Sequence, residues 1–279
     1  MVPTVDVAPI YLGVQQGYFS AEHLDLTLAP AQGGAAIVPA VVGGQYEFGF
    51  SNTTSLLLGS SEGLPLKVVA AGDSAGSDPA ADFCRVVVAA GSPVRQFADL
   101  AGRKVAVNTL KNINTTTIDQ LVRSDGGDPS RIHFVEMPFA DIPTAVAKGE
   151  VDAGQVVEPY ATSAVRLGER SLGSNCAGTA PGLPVAEYFT STAYVAQHPR
   201  VVEEFTAAMN RSLTYARTHP EAARGIVSSY LPIDPAVQSR MVLPVWRTSI
   251  SAPGVEKLVQ AGTADGLFPK APNVDALMP

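Results

Sequence analysis

The sequence predicts an α/β protein in two lobes, each a mostly parallel sheet flanked by helices. Three observations carry this reading. The chain has 279 residues, and at roughly 100–200 residues per domain two domains are expected. Short apolar runs alternate with helix-like segments in two successive series, and from Pro199 onward the pattern turns helical. A β-α-β-α rhythm joins parallel strands through covering helices. This order places one chain crossing near Phe83–Arg85 and a return near Tyr188–Tyr194. Two crossing strands make a hinge with a cleft between the lobes. The expected limits are 1–83 plus 190–279 for lobe one and 84–189 for lobe two.

The first series opens with a helix in "PIYLGVQQGYF" (Pro9–Phe19). Proline stands at its start, and Ile10, Val14 and Tyr18 recur at a spacing of four. "LDLTLAP" (Leu24–Pro30) alternates as a strand does. "GGAAIVPAVVGG" (Gly33–Gly44) reads as a helix between two glycine pairs. "YEFGFSN", "TTSLLLGSSEG" and "LPLKVVAAG" follow as strand, helix and strand. In the second series "CRVVVAA" and "RKVAVN" are strands, and "TTTIDQLVRSDGG" is a helix closed by Gly126-Gly127. "RIHFVEMP" is a strand and "DIPTAVAKGE" a helix capped by Asp141. "VDAGQVVEP" is a strand, "YATSAVRLGE" a helix, and "RSLGSNCAG" reads as a strand. In the tail, "PRVVEEFTAAMNRSLTYARTH" repeats apolar residues near i, i+3, i+4 and i+7. "PEAARGIVSSYL", "DPAVQSRMVLPVW" and "GVEKLVQAGTADGLF" add three further helices, each with Pro or Asp near its start.

Composition narrows the function. Hydrophobic residues make up 46%, charged residues 16%, and the net charge is -7. A large core is therefore available. With no Lys/Arg run, nucleic acid and anionic membrane are not expected partners. No apolar stretch approaches the roughly 20 residues of a spanning helix. The four histidines are scattered, and Cys84 and Cys176 share no short spacing, so a metal site is not expected. The two cysteines read either as buried thiols or as one disulfide of an exported protein.

In open α/β sheets ligands sit beyond the carboxyl ends of the strands. The turns to inspect are "VDVAP" (Val5–Pro9), "AQGGAA" (Ala31–Ala36), "FSNTTS" (Phe50–Ser55), "NTLKNINTTT" (Asn108–Thr117), "PFADI" (Pro138–Ile142) and "VVEPYA" (Val156–Ala161). All are rich in small polar groups, helix-start N–H groups or isolated aromatics. That mixture suits a small polar molecule. In any one turn Asn and Thr are equally well explained as caps; the repetition across several turns favours binding. Catalytic motifs such as G-x-S-x-G, H-E-x-x-H and the phosphate-binding loop are absent. Glu158 lacks an evident partner for general-base work.

Four stretches carry a family likeness: "APIYLGVQQGYFSAEHLDLTL", "GGAAIVPAVVGGQYEFGFSN", "FADLAGRKVAVNT" and, most specific, "AVAKGEVDAGQVVEPY" (Ala145–Tyr160). Together they resemble the substrate-binding proteins of ABC importers for nitrate, taurine, aliphatic sulfonates and the thiamine pyrimidine precursor. The likeness runs from about Val5 to Ala164 and is looser beyond. It implies a type II periplasmic-binding-protein fold that closes on a solute without a cofactor. By position, it implies a pocket drawn from Asp6, Pro9 and Tyr11, and from Gly33, Gly34 and Ala35. Asn52 and Thr53 join them, with Asn108, Asn112, Asn114 and Thr115 from the opposite lobe, then Phe139 and Glu158. It also implies a Cys84–Cys176 disulfide near the hinge. The implied partners are a small-molecule solute and a membrane permease, and the implied form is a monomer. The implied location is periplasmic or lipid-anchored, with a signal segment missing ahead of "MVPTVDVAP".

Positive charge is scarce in these turns, Lys111 and the hinge residue Arg85 excepted. Glu158 would repel an anion and attract an amine. The expected solute is therefore a small polar organic molecule: amine-bearing, pyrimidine or aromatic. The alternatives are an anion of the sulfonate or nitrate type and a pyrimidine-synthase-like enzyme. The related synthases resemble a Cys-rich, His-dependent pattern, which two cysteines and scattered histidines do not match, so no enzymatic activity is expected. A sensory domain of a transcription regulator would need a DNA-binding segment, which this sequence does not show.

Overall fold

Strands with apolar residues at every position must be covered on both faces, and the middle of the chain builds such a sheet. In a computed structural model describing residues 1–279, the nine strands are β1 (Gly49–Asn52), β2 (Leu66–Ser74), β3 (Cys84–Val88), β4 (Lys104–Val107), β5 (His133–Glu136), β6 (Ala153–Val157), β7 (Arg170–Gly173), β8 (Pro184–Ser191) and β9 (Val245–Trp246). Lobe two holds the sheet β5-β4-β6-β3-β7. Val86, Val88, Val105 and Val107 face helix Ile113–Ser124 through its Ile118 and Val122. Val87, Ala106 and Val156 turn to the opposite face, against Ile142, Val146 and Ala164. The alternation within each strand supplies both faces.

Lobe one holds the sheet β1-β8-β2-β9. Helix Pro199–Thr218 lies along it and buries Phe205, Ala208, Met209, Ser212, Leu213 and Ala216. That is the stripe its i, i+3, i+4 spacing predicts. Burying a side chain such as Phe205 or Leu213 contributes roughly 1.5–3 kcal/mol.

The α/β class and the two lobes stand, but the sheets depart from expectation. β4 runs parallel to β5 and β6, whereas β3 is antiparallel to β6 and β7. In lobe one every ladder is antiparallel. β1 and β2 run the same way, as their rhythm implied, but β8 returns from the other lobe and inserts between them. All eight residues of β8 are buried. Glu187, Thr190 and Ser191 interrupt its apolar run, which hides it from pattern reading.

The crossings also shift. The chain leaves lobe one after Ser74 and re-enters it by Pro184. The expected boundary at 189/190 therefore cuts through β8, which lies wholly in the first sheet. The connecting segments run side by side: Ala75 N–H donates to Leu183 O at 2.9 Å and Gly182 N–H to Gly76 O at 3.1 Å. Asp82 ties them further, accepting from Gly76 N–H at 2.9 Å and from Ser174 Oγ at 2.6 Å.

Three local expectations change. Leu24–Pro30 alternates in exposure but joins no sheet; its end bonds only Met1, through Ala29 O and Ala31 N–H. "DPAVQSRMVLPVW" gives one short helix, Pro235–Gln238, and then β9. Pro244 has no N–H and disfavours a helical conformation at Leu243. "RSLGSNCAG" supplies β7 and then a helix, Asn175–Thr179.

Candidate functional site

The site lies where the lobes touch. "FSN" ends β1, and Asn52 caps helix Thr53–Ser61 by accepting from Ser55 N–H at 2.9 Å. The same Asn52 oxygen reaches across the cleft and accepts from Ile113 N–H at 3.2 Å. On the lobe-two side Asn112 caps helix Ile113–Ser124, accepting from Asn114 N–H at 2.9 Å and Thr115 N–H at 3.3 Å. Thr115 Oγ1 closes the box by accepting from Asn112 N–H at 3.2 Å. Asn108 Oδ1 then accepts from the side-chain amides of Asn112 and Asn114, both at 2.8 Å. Its own amide crosses to Gln32 O at 3.4 Å.

Facing them is the start of helix Gly34–Val42. Gly33 has no side chain to cap it, and the N–H groups of Gly34 and Ala35 carry no bond. The glycines are required by close approach. A Cβ on Gly33 would lie 2.7 Å from Thr109 Cγ2, and one on Gly34 2.5 Å from Ser55 Cβ and 2.6 Å from Ser51 Oγ.

Between these walls is a cavity of about 60 Å³. It shares Val2, Thr4, Asn108 and Phe139 with an outer recess of about 300 Å³ that Tyr160 also lines. Of the residues expected in the pocket, Asp6, Gly33, Gly34, Asn52, Asn108, Asn112, Asn114 and Phe139 line the inner cavity. The others do not. Pro9 is buried in helix Ala8–Gln15. Tyr11 stacks on Tyr230 at 4.1 Å. Ala35 is exposed on its helix. Thr53 Oγ1 donates to Glu187 Oε1 at 2.8 Å and Pro184 O at 3.0 Å. Thr115 is spent on the cap.

Glu158 is the most consequential departure. It is 1% exposed. Its Oε1 accepts from Thr162 Oγ1 at 2.9 Å and Val242 N–H at 3.1 Å, and its Oε2 from Thr162 N–H at 3.0 Å. The carboxylate is a tie between the lobes, since Val242 belongs to the helical tail. Burial pushes its pKa up, opposed by those three bonds.

The disulfide is also corrected. Cys84 and Cys176 are free, fully buried thiols packed against each other. They sit in one apolar cluster with Phe83, Val157 and Leu183. Burial raises both thiol pKa values, which holds them protonated.

No Lys, Arg or His lines the inner cavity or the outer recess, and Asp6 is their one carboxyl. Lys111 is exposed and outside both. Asp6 is 7% exposed and accepts from Thr4 Oγ1 at 2.6 Å. Burial raises its pKa, against the Thr4 bond. Behind it lie Asp73, raised well above the usual range by burial and by Asp6, and Glu187, pushed up to about 8 by burial. Sequence reasoning missed Thr4, Ser51 and Asp73. The signal for Asp73 was there: one carboxylate inside the otherwise uncharged end of "LKVVAAGDS".

The lobes are closed upon each other. Arg123 pairs with Asp265 at 2.5 Å and Arg166 with Asp234 at 3.1 Å, each bond joining lobe two to the helical tail. A separate apolar recess of about 270 Å³, lined by Leu26, Phe48 and Phe205 among others, lies within lobe one. It lacks the convergent polar groups of the cleft.

Comparison with known proteins gives these findings. A family model described as "NMT1/THI5 like" matches residues 4–223. A curated relative, a 4-amino-5-hydroxymethyl-2-methylpyrimidine phosphate synthase from Aspergillus parasiticus, is 24% identical over 235 residues, 77% of this chain. The matched region spans 64% of that protein's length. Among solved structures, the alkanesulfonate-binding protein of Xanthomonas axonopodis pv. citri superposes with a TM-score of 0.80 at 17% identity, covering 99% of this chain and 96% of that one. The nitrate-binding protein of Synechocystis PCC 6803 gives 0.77 at 14%, covering 99% and 84%. A ligand-binding component of an ABC-type import system from Staphylococcus aureus gives 0.84 at 14%, covering 100% and 94%. At these identities the likeness establishes the periplasmic-binding-protein fold.

Proposed function

From the premise that this chain belongs to the NMT1/THI5-like family, we propose that it is the solute-binding component of an ABC importer. It closes two lobes around a small polar organic molecule and presents the closed form to a membrane permease. The observation that carries this reading is the cleft itself. Both lobes furnish it, with amides, hydroxyls and one carboxylate, and no basic side chain faces it. An amine-bearing, pyrimidine or aromatic solute fits that charge. Phe139 and Tyr160, with rings 6.4 Å apart and 19° from parallel, supply flat apolar surface near the mouth. Export to the periplasm, as a monomer, belongs to the same reading.

Two other readings have specific support. The unbonded N–H groups of Gly34 and Ala35 suit an anion, and two of the structural neighbours are named as sulfonate- and nitrate-binding. The curated relative is named as a pyrimidine phosphate synthase; against an enzyme here, no histidine lines the cleft and its one cysteine is a buried thiol.

The test is a thermal-shift panel of amines, aminopyrimidines, aromatic acids, sulfonates and nitrate. Stabilisation grows with the ratio of ligand to Kd. A shift with members of the first two classes supports the reading. A shift with sulfonates or nitrate alone replaces it by the anion reading, and no shift with any class overturns solute binding.

A further inference from the structure

The cleft's one carboxylate is backed by a second carboxyl that nothing else in the molecule accounts for. Asp73, on β2 and 2% exposed, receives no hydrogen bond from any N–H or hydroxyl group. Its side chain instead lies within hydrogen-bonding reach of Asp6. Two carboxyl groups this close, with no cation beside them, disfavour a charge on both. The surroundings decide where it sits. Asp6 accepts from Thr4 Oγ1 at 2.6 Å and from its own backbone N–H, and both bonds favour the charged form. Asp73 has neither. Burial and the charge of Asp6 push Asp73 well above the usual carboxylate range, so of the two it is Asp73 that favours the protonated form. Asp6 is the one of the pair that lines the cavity.

A second, independent observation lies on the same wall. Ser51 Oγ, in a residue 4% exposed, has no hydrogen-bond partner. A buried hydroxyl without a partner costs roughly the full desolvation of that group, and a solute in the cavity would relieve it. A carboxylate and an unfilled hydroxyl together accept from an N–H donor.

We propose that Asp6 and Ser51 form the subsite for the nitrogen-donor end of the solute, an amine or an amino group on a base, and that Asp73 is the positioning residue that holds Asp6 in place through its proton. This rests on the solute-binding reading above. It moves the acidic anchor from Glu158, whose oxygens are already taken, to Asp6.

Calorimetry on the full chain tests it, with ethylamine and 4-aminopyrimidine as probes and ethanesulfonate and nitrate as controls. An amine probe is expected to bind. Asp6→Asn should weaken it by about tenfold or more, and Ser51→Ala by about threefold. Asp73→Asn, whose amide can still donate to Asp6, should keep most of the affinity, whereas Asp73→Leu should lose it. Ser51→Ala removes one unpartnered atom and so guards against Asp6→Asn failing to fold. The subsite is overturned if a nitrogen probe binds equally to wild type, Asp6→Asn and Ser51→Ala. It is also overturned if only ethanesulfonate or nitrate binds, an outcome that leaves solute binding intact. Equal loss in Asp73→Asn and Asp73→Leu overturns the positioning role.

Discussion

The helices that begin at Gly34 and Ile113 face each other across the cleft, and their first turns are furnished in opposite ways. The lobe-two turn is rich in side chains, and those side chains consume the helix start. Asn112 takes the N–H groups of Asn114 and Thr115, and Asn52 of the other lobe takes that of Ile113. The lobe-one turn is bare. Gly33 caps nothing, and the N–H groups of Gly34 and Ala35 are left open. A polar turn thus fills its own donor sites, while a glycine turn offers backbone to a guest. Acidic groups are divided in the same way, with Asp6 on the lobe-one wall and Asp73 and Glu187 behind it, and amides on the lobe-two wall.

The largest expected effect probes the acidic side of that contrast. Glu187 has a folded pKa of about 8 against an ordinary 4.5, so the folded state holds a proton that the unfolded chain has released between those values. Stability from this group is fully present below about pH 4.5, declines as pH rises to about 8, and is flat above. Denaturation across that window should show a loss on the order of a few kcal/mol. Glu187→Gln, which keeps a partner for Thr53, should make the profile shallower, with Asp119 and Glu169, both pushed up to about 7 by burial, supplying the remaining slope; an unchanged slope would show that the carboxyl is not held neutral.

Gly34→Ala attacks the open helix start directly. The new Cβ meets Ser55 and Ser51 at 2.5–2.6 Å, and overpacking of this kind costs about 1–3 kcal/mol. The midpoint of urea denaturation should fall, and solute affinity with it. Asn112→Ala attacks the closed one. Losing the cap should cost about 1–2 kcal/mol and free two N–H groups, so nitrate binding should rise as stability drops. If nitrate affinity stayed the same, self-capping would not be what separates the two walls. Smallest of all is Arg166→Ala. Its bond to Asp234 joins side chains 42% and 51% exposed, and such pairs contribute about 0–1 kcal/mol. The expected change is a slightly more open form in small-angle scattering at low salt, absent at high salt.

Much of this molecule could be read from its residues. The β-α-β-α rhythm predicted sheets covered by helices, and the spacing of Phe205, Met209, Leu213 and Ala216 predicted the stripe of the long helix. Asp6, Gly34, Asn52 and Asn114 were implied by the family likeness position by position, and all four line the inner cavity. Glu158, Thr53 and Tyr11, implied in the same way, do not, because each found a nearer partner: Val242, Glu187 and Tyr230. Those partners lie 84, 134 and 219 residues away in the sequence, beyond any local pattern.

The sequence by itself determined the α/β class, the two lobes and the polar character of the turns, since periodicity and turn chemistry act over a few residues. Only the tertiary structure decided that β8 enters between β1 and β2, that the cysteines pack as thiols, and which polar groups remain free for a guest. A side chain's hydrogen-bonding capacity is local, but whether it is already satisfied depends on what the fold brings beside it.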